Sequence, residues 1–166
     1  MAQLLVPNVN RRAYGDVLTA LHGVYASAEA ALLGYLSRHP DLFDYAPRRK
    51  LPALEADLAA LGRHPAATAV SLPAIDRTGA RFGTLYTLEG ATLGGQFIAS
   101  RLHQQGAGDF PLQFYTIYGD QARSHWLAFL AIAEQRCPPT EHACAAATAV
   151  ALFDSIRRHL DACYGL

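Results

Sequence analysis

Apolar and polar positions recur along most of this chain with the period of a helix. From Asn10 onward, Tyr14, Val17, Leu18, Leu21, Val24, Tyr25, Ala28 and Leu32 follow one another at steps of three and four, which places them on one helix face as far as about residue 37. Asn10 suits the cap of that helix, because its side-chain oxygen can accept a first-turn amide. The loop HPDLFDYAPRRK leads to a shorter helix over about residues 52–61, with Pro52 in its first turn and Gly62 at its end. A second connection, HPAATAVSLPAID, precedes a long helical pattern from about Thr78 to Gln105. After the aromatic-rich stretch GAGDFPLQFYTIYG, the pattern returns over Asp120 to Arg136 with Trp126, Phe129, Leu130 and Ile132 inward. Pro138 and Pro139 break the chain. A last helix over about Thr140 to Tyr164 then carries Ala143, Ala147, Val150, Leu152, Phe153, Ile156 and Leu160 as its apolar stripe. Ahead of all these, Leu4, Leu5 and Val6 run into Pro7 like the end of an amphipathic helix.

The pattern predicts an all-α multi-helix bundle of about six helices, with about 60% helix or more, in a single domain over residues 1–166. Composition agrees, since Ala and Leu supply 54 residues against 11 for Val and Ile. The 14 basic and 14 acidic side chains cancel, and Lys50 is the one lysine, so neither nucleic acid nor an anionic membrane surface is an expected partner. Uninterrupted apolar runs fall well short of about 18 residues, which argues against a membrane span. The segment MAQLLVPNVNRR lacks the features of a signal peptide. Cys137, Cys144 and Cys163 form no disulfide framework, so a cytoplasmic setting is expected.

The glycines of the long pattern oppose this background. Gly79, Gly83, Gly90, Gly94 and Gly95 fall within it, and an interior glycine costs a helix about 1 kcal/mol relative to alanine. Two compensations stand open: a partner helix nesting against bare backbone, or a flat ligand lying on it.

The segment GTLYTLEGATLGGQFIASRL, residues 83–102, closely resembles the distal helix of heme oxygenases, particularly the bacterial phytochrome-associated branch, where an L-Y-x-L-E-G-x-x-L-G-G-x pattern recurs. AYGDVLTALHGVYASAEAAL, residues 13–32, looks like the second helix of that family. FYTIYGDQARSHWLAFLAIAE, residues 114–134, looks like its aromatic turn and following helix, so the resemblance covers nearly the whole chain. It implies an oxidoreductase of the helical heme oxygenase-like fold, with heme held between a proximal helix bearing a His ligand and a distal helix whose glycines touch the porphyrin. Heme would be both substrate and cofactor, opened to biliverdin, carbon monoxide and iron with O2 and electrons from an external donor.

By carry-over, Gly90, Gly94 and Gly95 contact the heme and, with Ala91, crowd its distal side, while Tyr86 lies near the edge of the same face. Ala91 stands where many animal-type members have an Asp that organises water, and the Thr87 and Thr92 hydroxyls are candidates to hold water in its stead. Arg123 aligns approximately with a basic position that meets a heme propionate. Glu89, just before Gly90, is expected to anchor a kink.

The proximal His of the family lies on a helix ahead of the segment matching residues 2–18, and no residue here takes that position; the chain is about 20 residues shorter than the family pattern. Three explanations compete. The true start lies upstream; or the protein is a noncatalytic relative that binds a tetrapyrrole weakly or acts as an interaction module; or another His, such as His22 or His103, ligates the iron. His22 reads equally as a core residue and His103 as a favourable charge at a helix C-terminus. Without that first helix, apolar surface around Val9, Tyr14 and the glycines would be bare, so self-association into a homo-oligomer is expected.

Overall fold

A computed structural model describes residues 9–65, 69–107 and 109–164. Among them are five α-helices and no strand: α1 (Arg11–Leu36), α2 (Leu51–Ala60), α3 (Thr78–Gln104), α4 (Ala122–Arg136) and α5 (His142–Tyr164), joined by short 3-10 turns. The helix end expected at Leu4, Leu5 and Val6 lies outside the described residues.

The central helix follows its apolar stripe. Asn10 accepts the Ala13 amide at 2.8 Å, and every stripe position from Tyr14 to Leu32 is buried. By length and composition alone α1 is apolar enough to cross a membrane, although no unbroken apolar run announces it, and within this fold most of the helix lies in the core. Asp57 of α2, itself buried, accepts the Gln113 and Phe114 amides and so ties the aromatic turn to α2. Burial pushes the Asp57 carboxyl up while those two amides pull it back. Gly62 ends α2 in the left-handed region at φ 66°.

One expectation holds only in part: Leu152 and Leu160 of the α5 stripe are buried as expected, while four of its positions are exposed. Val150 and Phe153 of α5 are 63% and 53% exposed, and Ala143 and Ala147 are exposed as well; the buried positions are Thr148, Ala149, Leu152, Ser155 and Leu160. The cause lies in α3. A Cβ at Gly83 would stand 2.3 Å from the Ala145 carbonyl oxygen, and one at Gly79 2.6 Å from that of Glu141, so the two backbones meet almost directly. Such an approach requires the small-residue face of α5, and it turns the bulkier Val150 and Phe153 outward. Helix α3 packs more extensively on α5 than on any other element. Glu141 secures the joint: it accepts from Nε and Nη2 of Arg77 and, at 2.8 Å, from the Gly79 amide.

Two lone features of α3 escape sequence patterning. Arg81 is fully buried with its guanidinium 4.1 Å from the centre of the Phe82 ring and no hydrogen-bond partner among the described residues. Despite its glycines, α3 runs its full length as uninterrupted α-helix.

Candidate functional site

Tyr86, Gly90, Leu93, Gly94 and Phe97 recur along α3 at three- and four-residue steps and face outward together. Phe97 is 64% exposed, Tyr86 and Leu93 are exposed, and Gly94 has nothing within 4 Å of where a Cβ would point. The result is an apolar strip with a bare stretch of backbone at its middle. On one side of the strip, α1 and α5 enclose a cleft of about 280 Å³ lined by Leu21, Tyr25, Ala91, Gly94, Ile156 and Leu160 among others. On the other side, between α3, α4 and α5, lies a more open cleft of about 640 Å³ lined in part by Phe82, Tyr86, Phe129, Cys137 and Val150.

The glycines divide between both compensations left open by the sequence. Gly94 is open, as a ligand-facing glycine must be. Gly90 is half-buried and would set a Cβ at an ordinary 3.5 Å from the Trp126 ring. Gly95 is buried, and its Cβ would fall 2.9 Å from the Tyr115 carbonyl oxygen, so this glycine admits the aromatic turn rather than a ligand. Ala91 is exposed and lines the smaller cleft, while Tyr86 stands edge-on to Trp126 with ring centres 5.0 Å apart.

Beneath the strip lies a buried ionic cluster. Glu89 has no exposed side-chain surface; its carboxylate accepts from Lys50 Nζ, from Arg48 at 2.6 Å and from the Tyr118 hydroxyl at 3.2 Å. Lys50 also donates to the Arg48 carbonyl at 2.7 Å and to the Tyr118 hydroxyl at 3.0 Å, which satisfies all three of its protons. Lys50 also lines the smaller cleft, so this one residue links the cleft wall to the residue preceding Gly90. Burial lowers the Lys50 pKa against the opposing pull of Glu89. Tyr25, at the same cleft, is pushed far above the ordinary tyrosine value, first by burial and then by Glu29 and Glu89. Glu89 is thus tied to a partner 39 positions distant in sequence, but it marks no break at the kink expected there, since α3 continues through it as α-helix.

The other candidates lie apart. His22 is buried, but its Nε2 faces Glu55 at 3.4 Å and it lines neither cleft. His103 directs Nδ1 to the Ala99 carbonyl at 3.0 Å and likewise lines neither. Arg123 is exposed in the first turn of α4, outside both clefts. Thr87 and Thr92 line the smaller cleft, yet their hydroxyls both donate to helix carbonyls, those of Gly83 and Glu89. Sequence patterning missed Lys50, Tyr118 and Arg48 as a unit. The single lysine, placed in a loop otherwise rich in arginine, was the available signal.

The described residues thus form an all-helical bundle with bare backbone at Gly94 between two apolar clefts. A curated heme oxygenase from Xanthomonas campestris pv. campestris (strain 8004) is 33% identical over 157 residues, covering 94% of this chain and 91% of the relative. The chain belongs to the heme oxygenase family. No protein-family model and no solved structure gives a significant match.

Proposed function

We infer that this chain binds heme as its substrate on the α3 strip and opens the macrocycle to biliverdin, carbon monoxide and iron, using O2 and an external electron donor. The open backbone at Gly94, bordered by an apolar cleft, is the observation that carries this reading, together with family membership. The residues present suit a porphyrin: a Cβ at Gly94 would occupy the space that a planar ring needs, and the bordering surface is apolar. When bound, heme supplies the iron at which O2 reacts.

The chain's own residues bind and orient. Gly94 and Ala91 support the ring face, Tyr86 and Phe97 border it, and Ile156 and Leu160 keep water from the inner edge. The Lys50–Glu89 pair fixes the helix segment on which the ring rests and holds a proton at Lys50 Nζ close to the cleft wall. Arg123, at the start of α4, is the candidate partner for a propionate reaching beyond the strip. In this reading the 166 residues act as one domain, in the phytochrome-associated branch, in the cytoplasm.

The test is hemin titration of the chain followed by reductant under air. Saturable uptake of one hemin per chain, seen in the Soret band, and its conversion to the absorbance of an open-chain tetrapyrrole are expected. Absence of saturable uptake overturns the reading.

A further inference from the structure

One side chain stands between the two apolar clefts. Phe153 lines both, and with 53% of its surface exposed its ring projects from α5 rather than filling the core. Its neighbours on α5 divide accordingly: Ile156 and Leu160 line the smaller cleft, Ala149 and Val150 the larger. The position is a consequence of packing. Gly83 selects the small-residue face of α5, and the register that buries Thr148, Ala149 and Leu152 delivers Phe153 to the dividing line.

A flat ring lying on glycine backbone is held by dispersion and apolar contact, neither of which resists rotation about the ring normal. A lateral stop must set which edge points inward. Phe153 is such a stop, and the recesses beside it are unequal, about 280 and 640 Å³, so edge substituents of different size fit them unequally. We propose that Phe153 is the specificity-determining side chain of this site, fixing the in-plane orientation of the macrocycle and hence which meso bridge is opened. The proposal rests on the heme reading given above. Phe153 acts through shape: it touches the ring edge and takes no part in bond making.

The test compares wild type with Phe153→Ala and Phe153→Leu, turned over with reductant under air and with the biliverdin isomers separated by chromatography. Wild type is expected to give one dominant isomer, and Phe153→Ala a mixture in which the ratio of major to minor isomer falls by about tenfold or more, the scale of a pocket-shape preference. Phe153→Leu, which keeps an apolar wedge of smaller size, falls between them and serves in place of the alanine variant if that one does not fold. A merely structural role would change yield and leave the isomer ratio untouched. Hemin uptake with an unchanged isomer ratio in both variants overturns the proposal alone. No hemin uptake by wild type overturns the heme reading and this proposal together.

Discussion

Gly83 and Gly94 lie three helical turns apart on α3, and a methyl group would meet opposite fates at the two positions. At Gly83 it would collide with the Ala145 backbone, whereas at Gly94 it would meet nothing. Gly83 brings another helix close, whereas Gly94 leaves a surface bare. Glycine content alone cannot separate these uses, because the helix-propensity penalty of about 1 kcal/mol is the same at both. The partner decides: α5 presents backbone to Gly83, while no described atom comes within 4 Å of where a Gly94 Cβ would stand.

The sharpest way to break this division is at Glu89, which lies between the two glycines. Glu89→Leu leaves Lys50 and Arg48 buried without their carboxylate and is expected to destabilise the fold by about 3–5 kcal/mol in urea unfolding. A loss under about 1 kcal/mol would show that the cluster does not anchor the helix. Gly83→Ala comes next. Its methyl opposes a backbone oxygen that cannot rotate away, so a loss of about 1–3 kcal/mol is expected, and a gain would contradict the packing described.

Gly94→Ala is the same substitution with the opposite sign. Stability should rise by about 0.5–1 kcal/mol as helix propensity improves, while hemin affinity falls; tighter hemin binding would move the ligand off this strip. The smallest effect belongs to Glu141 at the packed end. Arg77 and the Gly79 amide hold its carboxyl below the ordinary glutamate value of 4.5. Because the native value is the lower one, the stabilisation is complete above 4.5 and is lost as the pH falls through the native value. The difference in urea midpoint between wild type and Glu141→Gln should therefore be present at neutral pH and shrink on acidification below 4.5; a constant difference would place the effect elsewhere.

Much of the helical framework was legible in the residues. The α1 stripe and the Asn10 cap, Gly62 at the end of α2 and the limits of α3 all follow from local spacing and backbone preference. The inward face of α5 did not, because hydrophobic size points to Val150 and Phe153, whereas the actual criterion was smallness opposite Gly79 and Gly83. For the site, the glycine strip was visible and the odd member was not: Gly95 looks like its neighbours until the Tyr115 carbonyl is placed beside it. The Lys50–Glu89 pair was illegible for a different reason. It joins a loop residue to a helix residue across 39 positions, and no periodicity encodes such a pairing.

Glu29 makes one helix depend on another. The residue that caps α2, Lys50, supplies no side-chain cap; the amides of Lys50 and Leu51 are instead taken by the Glu29 carboxylate of α1, at 2.6 and 3.1 Å. Helix α3 likewise begins on a borrowed group, with the Gly79 amide held by Glu141. Two of the five helices therefore lack a complete start until a distant segment has arrived, and a ten-residue helix is too short to persist alone in water. Helix α2 is therefore stable only with α1 in place, its first amides resting on a single buried carboxylate.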